Sequence, residues 1–313
     1  MNNLENLKKA VTNSVVVDIE YKYNNKINHV FAECGWFSLT GSIKDRVAYQ
    51  IFVDAIKENK INKNTKVVEV SSGNMGISVC AIANLLGIKT TIIMPKSMSE
   101  ERKKLIKLYG ANLILVNSFK DAFKLCSKYE KDGYFCPHQF ENTSNVSSHF
   151  KITGKALYKK LKKKKITHFV SGVGTSGTLS GAGKFLKEKL KLKVVAIEPK
   201  TAPILTKSAP LKPHKIQGLA DEILPKIYDK KIVDKIIQIN DLDAISMSQK
   251  LCKTLSLGVG ISGGANFLGC ILLNENAATV FADCNKKYLS TNLTQNVHSE
   301  LVDKIQLLSI SFL

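Results

Sequence analysis

The stretch His168-Phe169-Val170-Ser171-Gly172-Val173-Gly174-Thr175-Ser176-Gly177-Thr178 decides the fold. A short apolar run ends in glycines, and apolar residues at helical spacing follow over 179–190. This is a strand passing through a tight turn into a helix, which gathers backbone N–H groups where an anion binds. Read literally, the turn is also G-x-G-x-x-G, with Glu198 about 20 residues further on at the end of the next apolar run, as a dinucleotide fold requires. By itself the pattern leaves open the phosphate of a cofactor, a dinucleotide, or a glycine-rich turn with no ligand.

The same alternation extends on both sides. Segments 66–70, 90–94, 112–116 and 194–197 read as short apolar strands, and 76–86, 99–109 and 243–255 carry apolar residues at helical spacing. Strands alternating with helices build βαβ units and a parallel sheet. A polar stretch rich in Asn and Ser, 139–148, separates two such halves, so two α/β lobes with a cleft between them are expected. Ligands of open parallel sheets sit beyond the carboxyl ends of the strands, and the chemistry is sought in those loops. The chain has 313 residues, 44% of them hydrophobic, enough for one large domain or two of roughly 150 residues. That composition excludes a disordered, collagen-like or coiled-coil protein. The last residues, 301–313, alternate apolar and polar and are expected to pack on the larger lobe or on a partner.

Lys and Arg number 46 against 26 Asp and Glu, a net charge of +20 that favours anionic ligands. The dense run Lys159, Lys160, Lys162, Lys163, Lys164 and Lys165 has no interleaved aromatic residues for base stacking. It reads as a solvated face, and neither nucleic acid nor membrane is expected as a partner. Seven cysteines with no C-x-x-C pair suggest neither a disulfide framework nor a zinc site. No stretch reaches the roughly 18 apolar residues of a membrane span, and no apolar segment follows the polar first residues. A reducing, cytoplasmic location is the expectation.

A second loop, Ser71-Ser72-Gly73-Asn74-Met75-Gly76, again joins a strand to a helix, and its hydroxyls, amide and N–H groups suit a carboxylate or phosphate. An N-cap with turn glycines is the plain alternative. Two anion loops imply a ligand with two anionic ends, which a nicotinamide dehydrogenase does not need. In the third segment, Leu39-Thr40-Gly41-Ser42-Ile43-Lys44-Asp45-Arg46, a turn of small residues precedes an apolar helical stretch, 47–56. A lysine amine that is desolvated or set in positive potential has a lowered pKa and can form a Schiff base with an aldehyde cofactor.

As a set these blocks resemble the pyridoxal-phosphate (PLP) β-replacing enzymes, the family of cysteine synthase (O-acetylserine sulfhydrylase) and cystathionine β-synthase. The likeness runs from about residue 15 to 293 and includes a fourth block, Gly258-Val259-Gly260-Ile261-Ser262-Gly263-Gly264. Supporting segments are 94–102, 139–142 and 287–291. The resemblance implies an α/β, two-lobed PLP fold type II, similar to the tryptophan synthase β chain, each lobe a mostly parallel sheet flanked by helices. Residues 38–146 would form the smaller lobe with the asparagine loop, and 1–37 with 147–313 the larger lobe with the phosphate loop.

The resemblance also implies roles. Lys44 would carry PLP and then act as the base at the substrate's α-proton. Gly174, Thr175, Ser176, Gly177 and Thr178 would take the PLP phosphate, Asn74 the ring hydroxyl, and Ser262 the pyridine nitrogen. Ser262 also reads as a helix N-cap. Ser71, Ser72, Asn74, Gln139 and Gly218 would meet the substrate, and no metal is implied. The implied chemistry is β-replacement or β-elimination through an aminoacrylate. Cysteine synthase, O-acetyl-L-serine plus sulfide to L-cysteine plus acetate, is favoured. The alternatives are an L-cysteine desulfidase or desulfhydrase that releases sulfide with serine or pyruvate, or a β-synthase using another nucleophile. A homodimer and a docked serine acetyltransferase tail are further implications. The chain departs from its relatives at Met75, where a threonine is usual, and at Asp221 and Glu222, where cysteine synthases tend to have small, uncharged residues. A carboxylate there could orient or deprotonate water, so Asp221 is a candidate catalytic residue.

Overall fold

A computed structural model describes residues 2–71, 73–220 and 223–313, the side chains of residues 2, 3 and 5 excepted. Helix α1 (Asn2–Thr12) leads into a hairpin of β1 (Val16–Tyr23) and β2 (Lys26–Cys34). Asn24 and Asn25 turn it, both at positive φ, 47° and 59°, which asparagine tolerates better than most residues.

The chain then builds the smaller lobe from α2 (Lys44–Lys57), β3 (Val67–Val70), α3 (Asn74–Leu85), β4 (Thr90–Pro95), α4 (Glu100–Leu108), β5 (Asn112–Val116) and α5 (Phe119–Lys131). Its three strands pair in parallel in the order β3-β4-β5. Leu4 and Val11 of α1 pack with Val47, Ile51 and Phe52 of α2, so this helix joins the smaller lobe's core rather than the larger lobe expected for residues 1–37.

The return path is α6 (Thr143–Ser148), a π-helical turn (His149–Gly154) and α7 (Lys155–Leu161). The larger lobe adds β6 (His168–Gly172), a second π-helical turn (Leu179–Gly183) continued by α8 (Lys184–Leu190), β7 (Lys193–Pro199), β8 (Val233–Ile239), α9 (Asp241–Leu255), α10 (Ile261–Ile271), β9 (Ala277–Phe281), α11 (Glu300–Asp303) and β10 (Gln306–Phe312). Its seven strands run in the order β10-β1-β2-β9-β6-β7-β8. From β2 to β8 the pairs are parallel, and β1 and β10 close one edge antiparallel. The alternating C-terminus is therefore β10, seated on the larger lobe.

The two-residue period of a strand sends neighbours to opposite faces. In β6, Val170 packs with Phe267 and Ile271 of α10, whereas Phe169 packs with Leu157 and Leu186 of α7 and α8. Burial on both faces is why these strands read as unbroken apolar runs. It also leaves the strand ends as the places where the backbone meets a ligand, and β3 and β6 both end at the interlobe cleft. Among the described residues, no helix is long and apolar enough to cross a membrane.

Candidate active site

Lys44 is the first residue of α2, and the two residues that follow it are anchored. The Asp45 carboxylate accepts from Thr40 N (2.7 Å), Thr40 Oγ1 (2.6 Å) and Ser78 Oγ (2.7 Å). Arg46 is buried, pairs with Glu33 of β2 at 2.7 Å, and donates to Thr153 Oγ1 and the carbonyls of Val11 and Asn13. Removing one partner from a buried pair of this kind costs about 3–5 kcal/mol. The lysine that precedes them enters the cleft, where its Nζ donates to Thr175 Oγ1 at 3.2 Å.

Thr175 belongs to the glycine turn after β6. Ser176 stands in the left-handed region at φ 71°, which turns successive N–H groups to one side. Close approaches make two of the glycines obligatory. A Cβ on Gly174 would lie 2.1 Å from the Gly218 carbonyl oxygen, and one on Gly177 would lie 1.9 Å from Asn145 Oδ1. Asn145 donates to Thr175 Oγ1 at 3.0 Å, and Thr178 Oγ1 meets His149 Nε2 at 3.3 Å. His149 is fully buried, its other ring nitrogen on Thr153 Oγ1. Burial, and then the nearby charges of Lys44 and Arg46, hold its pKa well below the usual histidine value. It supports the loop as a neutral ring.

The loop after β3 is held differently. Ser71 Oγ accepts from the N–H groups of Gly73 (3.0 Å) and Gly76 (2.8 Å), so it shapes its own loop and retains one proton to donate. Asn74 opens α3, gives its amide to Asp283 Oδ2 at 2.7 Å and accepts from Lys287 Nζ at 3.1 Å. Asp283 also takes the Tyr288 hydroxyl at 2.9 Å and lies 3.7 Å from the Arg102 guanidinium. Arg102 in turn donates to Tyr288 Oη and to Gln217 Oε1, stacks over the Tyr288 ring at 4.7 Å, and so ties α4 to the larger lobe. Burial lowers the pKa of Lys287, with Asp283 and Asp45 opposing the shift.

Lys44, Ser71, Asn74, Gln139, Gly174, Thr175, Ser176, Gly177, Thr178, Gly218 and Ser262 line one cleft, with about 760 Å³ of space not filled by atoms. Ser72 and Asp221 lie outside the described residues. Ser262 is the second residue of α10, whose cap position is taken by Gly260, so it is not the N-cap. Both amide protons of Gln139 are engaged, by Glu69 Oε1 (3.1 Å) and Val70 O (3.0 Å), so binding a carboxylate through that amide would first require release of Glu69. Glu198 does not line the cleft. It is buried and accepts from Leu205 N, Thr206 Oγ1 and Gln238 Nε2, holding the loop after β7, and this removes the dinucleotide reading. Sequence reasoning missed Asp283, Arg102 and Lys287 as a group, although Arg102 and Lys287 stand in segments singled out above.

The residues fit PLP. One primary amine faces a nest of N–H and hydroxyl groups, and the nest keeps open the space that side chains on Gly174 and Gly177 would fill.

Comparison with known proteins agrees. The model of the family described as pyridoxal-phosphate dependent enzyme matches residues 9–281. Cysteine synthase B of Campylobacter jejuni is 39% identical over 276 residues, 85% of this chain and 91% of the relative. A hydrogen sulfide-producing enzyme from Fusobacterium nucleatum superposes with a TM-score of 0.95 at 35% identity, covering 100% of this chain and 99% of the other. Cysteine synthase from Entamoeba histolytica gives 0.81 at 31% identity, covering 88% and 86%.

Proposed function

Since the chain belongs to the pyridoxal-phosphate dependent enzyme family, we propose that it exchanges the β-substituent of a serine- or cysteine-type amino acid, with O-acetyl-L-serine and sulfide giving L-cysteine and acetate. The observation that carries this reading is the Lys44 amine, 3.2 Å from Thr175, in a cleft whose other wall is the Ser71–Asn74 loop. One amine between two anion sites suits a phosphate at one end and an amino-acid carboxylate at the other.

PLP, when bound, draws electrons from the amino acid's Cα, so that the Cα proton can be removed and the β-substituent expelled. Gly174, Thr175, Ser176, Gly177 and Thr178 would hold its phosphate, Lys44 its aldehyde end, Asn74 its ring hydroxyl and Ser262 its ring nitrogen. The Lys44 amine then takes the proton from Cα and later returns it. Ser71 and Ser72, with the N–H groups of their loop, orient the α-carboxylate. Ser262 is neutral and would leave the ring nitrogen less readily protonated than a carboxylate would, which favours loss of the β-substituent over transamination.

A second reading runs the same chemistry from cysteine, with release of sulfide. Its support is the whole-length likeness to the sulfide-producing enzyme, together with the position of Asp221 in the chain. Asp221 follows Ala220, whose N–H is tied to Val173 O at 2.9 Å beside the phosphate loop. In this reading its carboxylate orients or deprotonates water at Cβ, giving serine and sulfide. Seven free cysteines suit a reducing cytoplasm. A homodimer, and a serine acetyltransferase as partner, are proposed on the family resemblance alone.

The test feeds holoenzyme cysteine alone, then O-acetylserine with sulfide, and quantifies sulfide, serine, pyruvate and cysteine. Cysteine formation as the dominant turnover supports the first reading. Sulfide release with serine as co-product supports the second, and Asp221→Asn should then slow it at least about 100-fold. Unchanged sulfide release in that variant removes Asp221 from the mechanism.

A further inference from the structure

Gln139 is shared between the cleft and a second cavity in the smaller lobe, lined also by Glu69, Cys126, Glu130, Cys136 and His138. Cys126 and Glu130 stand one turn apart on α5, and Cys136 follows that helix. The two sulfurs are 3.3 Å apart, both thiols are buried, and one Glu130 oxygen lies within 4.8 Å of both. His138 Nε2 contacts the Glu130 carboxylate. Glu69 Oε2 is buried and meets no hydrogen-bond partner, while its other oxygen accepts from Gln139. A buried carboxyl oxygen left without a partner is costly, and this one belongs to the wall of the cavity that also holds the two thiols, which marks the cavity as a place for a further polar occupant.

We propose that Cys126, Cys136 and Glu130 bind a divalent cation of the zinc class, with His138 steadying Glu130. Two sulfurs with a carboxylate oxygen select a borderline-soft ion over magnesium or calcium, and three protein donors leave the fourth tetrahedral position to water. Sulfurs on such an ion lie ~3.8 Å apart, so the thiols need to separate by only about half an ångström. Binding releases the two thiol protons to solvent, since the thiolate is the ligand. Spacing alone does not reveal the cluster, because a gap of nine residues between the cysteines is none of the spacings by which zinc sites are recognised. The site stands independently of the reaction proposed above, and Gln139, which donates to Glu69 and Val70, stands between it and the cleft.

The test dialyses holoenzyme against zinc, and separately against cobalt(II), removes the excess, and counts metal per chain by elemental mass spectrometry. One ion per chain is expected, and the cobalt form should show the intense visible bands of a tetrahedral thiolate site. Cys126→Ser and Cys136→Ser should each weaken binding more than about 100-fold, and Glu130→Gln, at the half-buried rim, about tenfold. Cys252→Ser, in the larger lobe, should leave binding unchanged. Glu130→Gln remains informative if a buried cysteine variant fails to fold. Failure of the wild-type chain to hold stoichiometric metal overturns the proposal, as does undiminished binding in Glu130→Gln together with either folded cysteine variant.

Discussion

The two loops that face each other across the cleft do similar work by different means. The loop after β6 is fixed by backbone: Ser176 is left-handed, Gly174 lies against the Gly218 carbonyl, and Gly177 lies against Asn145. The loop after β3 is fixed by charged side chains that reach across the lobes, with Asp283 and Lys287 gripping Asn74 and Arg102 bridging to Gln217 and Tyr288. Backbone packing makes a site that is present whatever the lobes do. A grip of side chains ties the loop's shape to the fit of one lobe on the other, which suits the side proposed to admit and release substrate.

If that contrast is right, the second loop should be the more sensitive to loss of one charge. Asp283→Asn keeps the shape and one acceptor but leaves Arg102 and Lys287 without their buried anion. It should cost about 3 kcal/mol in denaturant unfolding. The same change at Asp234, which pairs with Lys187 at 2.7 Å on a half-exposed surface, should cost less than about 1 kcal/mol. Equal losses at the two positions would break the comparison.

The backbone loop should instead be sensitive to volume. Gly174→Ala puts a methyl group 2.1 Å from a carbonyl oxygen that belongs to backbone, so the loop must move. A cost of about 2 kcal/mol is expected, a loss of roughly 30-fold in PLP retention, read by equilibrium dialysis of the cofactor. Gly218→Ala meets open space, and only its φ of 94° opposes the change. It should weaken retention less, by about 1–2 kcal/mol.

The same contrast explains what could be read from the sequence. A backbone loop announces itself, because glycines at fixed places after an apolar run have few other uses, and the 172–178 turn and Lys44 were legible for that reason. Arg102 lies among Glu100, Glu101, Lys103 and Lys104, where its charge looks like one more solvated residue, yet it is 1% exposed. Asn74 and Asp283 meet although 209 residues separate them, and no local pattern reports such a contact. The parallel strands were legible as buried apolar runs. Strands β1 and β2 were not among the runs singled out, although Val17-Asp18-Ile19-Glu20-Tyr21 alternates apolar and acidic residues as an antiparallel strand with one wetter face does.

Acidity separates the two loops most finely, because the ionisable group supporting each one titrates in its own window. His149, behind Thr178, has a folded pKa pushed well below 6.5 by burial and by Lys44 and Arg46. Below about pH 6.5 the unfolded chain therefore takes up a proton that the folded chain refuses, so stability should fall as pH drops and be flat above. The slope expected from this one group is about 1.4 kcal/mol per pH unit, and it should vanish in His149→Gln. Lys287, behind Asn74, also has a folded pKa lowered by burial, from 10.5. There the unfolded chain holds the extra proton only in the alkaline window just below 10.5, so stability should rise with pH in that range and not in the acid one. Unfolding curves for the wild type, His149→Gln and Lys287→Met across both windows separate the loops. An acid slope that survives in His149→Gln would mean that carboxylates elsewhere dominate acid stability and that the loop after β6 does not depend on a neutral imidazole.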